Sequence, residues 1–202
     1  GAERGRFPFS GWGTRLLDLD NDGWKDLLVA QGHVLDTIEL TSDQFKYRQP
    51  PLLLRGGPAG FGRADGGPPS RHPWAGRGAA FGDLDNDGDV DVVLGTCNER
   101  ALVLRNDGES RHHSITLRLV GSRSNRDGLG ALVRTVTEPG LAQTHVVTTA
   151  GSYQSASDRR VVVGLGGSQR LRVLEVQWPS GARQRLEGVA AGQEITLREP
   201  TH

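Results

Sequence analysis

Two nearly identical acidic stretches, DLDNDGWKDLLVA at 18–30 and DLDNDGDVDVVLG at 83–95, constrain this chain more than any other feature. Each sets four or five carboxylates within nine positions and then runs directly into aliphatic residues. Carboxylates this close repel one another, so the crowding needs a physical compensation. The likeness extends upstream without a gap: GWGTRLLDLDNDGWKDLLVA (11–30) aligns with GRGAAFGDLDNDGDVDVVLG (76–95). Gly13 then matches Gly78, Asp18 matches Asp83, Gly23 matches Gly88 and Asp26 matches Asp91. Further on, PLLLRGGPAGFG (51–62) resembles ALVLRNDGE (101–109). The repeated unit reads as strand, acidic loop, strand, turn, strand. The first copy carries an insertion over roughly 33–50, with Phe45 and Tyr47 in it. A repeat of this size suggests an array or a propeller blade.

The loop chemistry is specific. Carboxylates fall at positions 1, 3, 5 and 9, as Asp18, Asp20, Asp22 and Asp26, and again as Asp83, Asp85, Asp87 and Asp91. The glycine at position 6, Gly23 or Gly88, permits the sharp turn that a left-handed residue makes. Position 7, Trp24 or Asp89, can offer its backbone carbonyl. Several hard oxygens in one tight arc suit Ca²⁺, which takes about 6–8 oxygen ligands. Mg²⁺ suits them less, because it demands octahedral geometry and keeps its water. Zinc would want His or Cys, and the loops hold neither. An EF-hand would share the first nine positions but needs Glu at the twelfth, which is Val29 or Leu94 here. Its flanks would be helices, whereas DLLVA and DVVLG read as short buried strands. A plain acidic turn is the alternative, since Asp, Asn and Gly all form turns. Two copies with matched ligand spacing favour calcium. The ion is expected to neutralise the carboxylates and pin the hairpin, as a structural site.

Composition removes some function classes. Lys plus Arg equals Asp plus Glu at 24 each, so nothing resembles a polybasic nucleic-acid binder. The apolar runs stop at about five residues, far short of the ~20 a membrane span needs, so no membrane insertion is expected. The chain contains no Met and begins Gly1-Ala2-Glu3, which leads us to expect a processed product or a fragment of a larger propeller protein. The lone Cys97 excludes an internal disulfide and leaves the compartment open.

After Arg105-Asn106-Asp107-Gly108 the acidic loop does not recur. In its place come HSITLRLVG (113–121), GALVRTVTE (130–138), AQTHVVTTAG (142–151), RRVVVGLG (159–166), RLRVLEVQW (170–178), RQRLEGV (183–189) and QEITLRE (193–199). Most alternate apolar and polar residues, and Gly, Pro, Ser, Asn or Asp mark nearly every gap. Seven short strands so spaced predict a β-sandwich or small barrel.

The segment FGDLDNDGDVDVVLG resembles an FG-GAP or VCBS repeat, the calcium-binding blade unit of integrin-α-like propellers. That resemblance covers about 11–109 and implies that the eight loop aspartates hold Ca²⁺. Such propellers usually have about seven blades. Two repeats standing alone would leave sheet edges open. Downstream, SNRDGLGALV (124–133), GSYQSASDRRVVVGLG (151–166) and VQWPSGARQRL (176–186) resemble the ASPIC/UnbV domain, which follows FG-GAP/VCBS repeats in the cartilage acidic protein-like family. The resemblance implies a secreted, periplasmic or surface-associated calcium-binding protein of adhesion type. It carries no agreed enzymatic chemistry.

Read as residues, Asn125, Asp127 and Gly128 form turn chemistry, the Tyr153-Gln154-Ser155 stretch a packed turn, and Trp178 a core plug before the Pro179-Ser180-Gly181 turn. Arg118, Arg134, Arg159, Arg160, Arg183 and Arg185 suggest a solvated sheet face. The histidines, His33, His72, His112, His113, His145 and His202, form no metal-site spacing, and no G-x-S-x-G elbow occurs. Cys97 reads as a packed thiol.

We therefore expect an all-β chain: partial β-propeller-type calcium-loop repeats over 1–109, then a β-sandwich-like ASPIC/UnbV domain over 110–202. The expected function is a non-enzymatic, Ca²⁺-stabilised interaction or adhesion module with an unidentified protein or glycan ligand and no nucleic acid. The metal ligands expected are Asp18, Asp20, Asp22, Trp24, Asp26, Asp83, Asp85, Asp87, Asp89 and Asp91. One alternative is a carbohydrate-binding module with Trp12, Trp24, Trp74 or Tyr153 as stacking platforms. Another is an enzyme or accessory protein of a bacterial biosynthetic pathway.

Overall fold

The repeat seen in the sequence is also a repeat of backbone geometry. A computed structural model describes residues 9–108 and 112–201. In its first repeat β1 (Gly11–Leu17), β2 (Asp26–Gln31), β3 (Leu52–Arg55) and β4 (Gly62–Arg63) follow one another across one antiparallel sheet. In the second, β5 (Gly76–Gly82), β6 (Asp91–Thr96) and β7 (Leu102–Leu104) do the same. Leu17 pairs with Asp26, and Gly82 pairs with Asp91 at the matching place. Even the irregularity in pairing recurs, between Gly11 and Thr14 and between Gly76 and Ala79. The insertion contains one 3-10 turn, Ile38–Leu40, and rejoins the fold where Arg48 pairs with Gly32 and Gln49 with Trp74. A single helical turn, α1 (Pro68–Arg71), leads towards the second repeat.

Alternation decides which side of each strand faces inward. In β2, Asp26, Leu28 and Ala30 are buried and their neighbours only half so. Leu17, Leu28, Ala30, Ala79, Phe81, Val92 and Leu94 form one buried cluster drawn from both repeats. The two sheets approach most closely at β1 and β5. A Cβ on Gly13 would lie 2.3 Å from the backbone N of Ala79. Only glycine permits that contact, since backbone cannot rotate out of the way as a side chain can.

All seven strands expected after residue 110 are present: β8 (His113–Val120), β9 (Leu132–Thr137), β10 (Ala142–Val146), β11 (Val161–Gly166), β12 (Arg170–Gln177), β13 (Arg183–Ala190) and β14 (Glu194–Arg198). They form two sheets, ordered β10-β9-β12-β13 and β11-β8-β14, and neither closes into a barrel. The pairing of β14 with β8 is parallel, unlike the antiparallel pairs around it. One core lies between the sheets. Ile115, Leu117, Val163 and Leu197 enter it from one side, and Val133, Leu171, Leu174 and Val176 from the other. Trp178, 1% exposed just beyond β12, plugs its end.

Open sheet edges were expected on the repeats, and β5 departs from that. The chain between β10 and β11 lies along it. Ala79 N–H donates to Ser155 Oγ (2.8 Å), Phe81 N–H donates to Ser157 Oγ (3.2 Å), and Asp158 N–H donates to Phe81 O (2.9 Å). Ser152 Oγ also donates to Trp12 O at 2.9 Å. Two hydroxyls and one backbone amide thus cover polar groups that an edge would leave unpaired.

Gly13→Ala is expected to destabilise the protein by about 1–3 kcal/mol, because the methyl meets backbone on β5. Gly57→Ala is the control, with nothing within 4 Å of the added carbon. It should stay within about 0.5 kcal/mol of the parent in urea titrations. Equal effects at the two sites would show that the close approach of β1 and β5 is not what requires glycine.

Candidate metal centres

Both loops adopt one conformation. Asn21 and Asn86, at position 4, have φ of 57° and 64°, and Gly23 and Gly88 both have φ of 93°. Asparagine is among the few residues other than glycine that enter this region readily. The aspartates then fix the turn. Asp18 Oδ2 accepts from Gly23 N–H at 2.8 Å, and Asp83 Oδ2 accepts from Gly88 N–H at 3.2 Å. At position 5, Asp22 Oδ1 accepts from Trp24 N–H (2.8 Å) and Asp87 Oδ1 from Asp89 N–H (2.9 Å).

Position 9 closes each loop onto its own repeat. Asp26 accepts from Leu19 N–H through Oδ2 and from Gly56 N–H through Oδ1, both at 2.8 Å. Asp91 accepts from Leu84 N–H and Asn106 N–H in the same way, again at 2.8 Å. This aspartate ties the loop entry to the exit of the third strand. Both are almost fully buried.

The carboxylates gather differently in the two copies. Asp18, Asp20 and Asp22 each offer an oxygen within 4.8 Å of the others, and so do Asp83, Asp85 and Asp91. Asp26 and Asp87 stand outside these groups. Trp24, at position 7, is half exposed, while the Asp89 side chain turns to accept from Asn21 Nδ2 of the other loop. The Arg55 guanidinium pairs with Asp20 and, at 3.7 Å, with Asp22, so a cation already sits at the mouth of the first loop. Its counterpart Arg105 pairs with Asp107 at 2.6 Å. Among the described residues no cation pairs with Asp85 or Asp87 in the second.

One feature is common to both loops. Asp18 and Asp83, 4% and 3% exposed, each keep Oδ1 shut away from solvent with no hydrogen-bond partner. A buried carboxylate with an unpartnered oxygen is costly, and the group responds by holding a proton or a cation. Burial, helped by Asp22 and Asp20, pushes the Asp18 carboxyl up to about 7 against the opposing Gly23 N–H and Lys25. Burial also raises Asp83 and Asp26. Asp89 rises to about 6, through burial and then the charges of Asp87, Asp83 and Asp91.

The loops also touch each other and the second domain. Asn21 Nδ2 donates to Gly88 O (3.3 Å), and Asn106 Nδ2 donates to Leu19 O (2.7 Å). From the sandwich, Gly166 N–H donates to Asn21 O (2.8 Å), and Ser114 Oγ donates to Gly88 O (2.8 Å). The His112 ring lies 2.9 Å from Asp20 O through Nδ1. Arg160 donates to Asn86 Oδ1 (2.7 Å) and to Asp83 O. It belongs to this contact and not to a solvated sheet face, for its side chain is only 19% exposed and held by Asp158 and Glu194. A Cβ on Gly164 would strike Asp18 Oδ2 at 2.1 Å. Sequence reading missed Asn106, Ser114, Arg160 and Gly164, which meet the loops only through the tertiary fold.

A second carboxylate organises the far end of the sandwich. Glu199 Oε2 accepts from the N–H groups of Ser122 (2.7 Å), Arg123 (2.8 Å) and Ser124 (2.8 Å). Its Oε1 accepts from Ser124 Oγ (2.7 Å) and from Ser180 Oγ. Burial opposes ionisation here, but the bonds from Ser180, Ser124 and Arg123 outweigh it and hold the carboxyl well below the usual range. Beside it Asn125 forms the expected tight turn, accepting from Gly128 N–H at 2.8 Å and from Asp127 N–H at 2.9 Å.

The candidate stacking rings are dispersed. Trp12 is half-buried, with its indole N–H on Gly32 O (2.6 Å), Arg77 over its face and Tyr153 beside it at 4.9 Å. Trp74 donates to Pro69 O and packs on His72. Trp24 and Tyr153 keep exposed faces, at 39% and 47%.

Fold and site define an all-β protein with twinned acidic loops seated against a sandwich. Residues 121–202 match the protein family described as ASPIC and UnbV, so the C-terminal part carries an ASPIC/UnbV domain. β8 precedes the matched stretch but is the middle strand of its sheet, so the folded unit reaches back to it. No curated protein matches the chain.

The raised Asp18 carboxyl has a consequence without metal. Between its unfolded value near 3.8 and its folded value of about 7, the folded chain holds a proton that the unfolded chain releases. The resulting stabilisation is full below the lower value and is lost as pH rises through the upper one. In EGTA, Asp18→Asn should therefore gain in melting temperature relative to the parent between pH 5 and pH 7.5. A difference that does not change over that range would show that Asp18 is not perturbed.

Proposed function

We propose that the chain is a non-enzymatic calcium-binding module acting outside the cytoplasm, in which Ca²⁺ stiffens two FG-GAP/VCBS-type loops and presents a surface to a protein or glycan partner. The observation that carries this reading is the unpartnered, solvent-shielded Oδ1 at the head of both loops. The same defect at equivalent positions of two repeats argues for a shared occupant over a packing accident. A hard divalent cation fits the donor set, which is carboxylate oxygen without thiol or imidazole. Asp18, Asp20 and Asp22 would hold it in the first loop, and Asp83, Asp85 and Asp91 in the second. Asp26, the carbonyls of Trp24 and Asp89, and Asp87 remain candidates as further ligands or supports.

The loops contact the sandwich through Gly166, Ser114 and Arg160, so an ion there would also brace the junction between the halves of the chain. Extracellular calcium modules bind with Kd of about 10⁻⁴–10⁻³ M. At about ten times Kd each site would add about 1.4 kcal/mol.

Calcium at about 2 mM, after EGTA, should raise the melting temperature of the parent and leave Asp18→Ala plus Asp83→Ala unmoved. If calcium moves neither protein, the loops are turns alone and the extracellular assignment falls with them. Arg55→Gln offers a finer check. Removing the guanidinium that pairs with Asp20 and Asp22 should strengthen calcium binding in the first loop by a few-fold, the scale of an exposed ion pair. Terbium luminescence titration would read the change.

A further inference from the structure

A cavity of about 210 Å³ lies between the repeats and the sandwich. Its walls come from β1, Lys25 just before β2, the end of β5, β10 and the start of β11. Apolar side chains, among them Leu17, Phe81, Val146 and Val161, cover part of it. The rest is charged. Arg15, Lys25, Arg159 and Arg160 face Asp18, Asp83 and Asp158. Arg160 is already held by Asp158 and Glu194, and Arg159 by Asp127 at 3.4 Å. Asp18 and Asp83 each have one oxygen on a glycine N–H.

That leaves two basic side chains, Arg15 and Lys25, with no carboxylate in ion-pair contact among the described residues, although Asp18 and Asp26 act on Lys25 from further off. Among the described residues neither the Arg15 nor the Lys25 side chain forms an ion pair or a hydrogen bond. Arg15 Nη1 is shielded from solvent with no partner, and the guanidinium has only the Phe81 ring near it, at 5.9 Å. His145, on β10, also lines the cavity, and its Nε2 likewise lacks a partner. Lys25 lies within electrostatic reach of Asp18, Arg15, Asp26 and His145. Burial lowers both Arg15 and Lys25, and it pushes His145 down to about 3, so the imidazole is neutral at physiological pH. A half-enclosed space whose cations have no bonded partner, beside a neutral imidazole, is incomplete as a structural ion cluster.

We propose that this cavity binds a small oxyanion, a phosphate or the carboxylate of a short organic acid, with Arg15 and Lys25 as its charge partners and His145 as a hydrogen-bonding wall. The guanidinium suits a planar or tetrahedral oxyanion, and the ammonium adds a point charge. The apolar wall would accept the carbon chain of an organic acid. The site does not depend on a metal in the loops. A cation on Asp18 would nevertheless neutralise a carboxylate that acts on Lys25 and so tighten the anion.

The test is calorimetric titration of the full chain with sodium phosphate and, separately, sodium malonate, at constant ionic strength, once in EGTA and once in Ca²⁺. Saturable one-to-one binding with Kd at or below about 1 mM is expected for at least one anion. Phosphate alone would identify the inorganic ion, and malonate an organic acid. Arg15→Gln and Lys25→Gln should each weaken binding at least about tenfold, the scale of one charge-assisted hydrogen bond. Arg118→Gln, on the exposed face of β8, should leave it unchanged. Absence of saturable heat with both anions in the parent overturns the proposal, as does equal weakening by Arg118→Gln, which would mean general charge attraction. Because the parent titration needs no variant, a misfolded mutant cannot hide a negative result. The EGTA arm separates this outcome from any failure of the calcium reading.

Discussion

A buried carboxylate heads each acidic loop, and the surrounding structure is arranged about it. Asp18 and Asp83 give one oxygen to a glycine N–H five residues on and keep the other out of water. The glycine must then be left-handed, the asparagine before it also, and the following strand must start where position 9 can close the loop. Holding a carboxylate in this state costs several kcal/mol when nothing answers its charge. The compensation comes from N–H groups in the loop, from Lys25, and in our reading from a cation.

The loops also stand at the junction of the two halves. Gly164 brings the sandwich backbone against Asp18, while Gly166, Ser114 and Arg160 bond to the loop backbones. The chain from Ser152 to Asp158 meanwhile runs along β5. The repeats are thus supported by the sandwich on one face as well as by their own core. The interdomain cavity, with the Arg15 and Lys25 side chains unbonded in its wall, is a product of this seating and belongs to neither half alone.

Glu199 plays a comparable part at the opposite end. Its carboxylate gathers three successive amides and two serine hydroxyls, and so joins the 122–124 turn to the turn at Ser180. Two of the stretches that resemble the ASPIC/UnbV domain, SNRDG and WPSG, therefore meet at an acidic residue that lies outside both. Their serines face an anchor inside the fold, and Trp178 closes the core beside them.

The sequence by itself determined the all-β class, the two acidic loops and their alignment, the seven C-terminal strands, the Asn125 turn and the burial of Trp178. These are local properties: alternation, turn chemistry and matched spacing act over a few residues and leave a mark in order along the chain. Only the tertiary structure decided which carboxylates converge, Asp91 joining one group while Asp26 stays outside the other. It alone placed Arg55 at the first loop and Arg160 beside the second, covered the β5 edge with Ser155 and Ser157, and put Arg15, Lys25 and His145 around one cavity. Such contacts join residues far apart in sequence, 55 − 20 = 35 positions for Arg55 and Asp20 and 77 for Arg160 and Asp83. No local period encodes them, and they exist only once the two halves have packed.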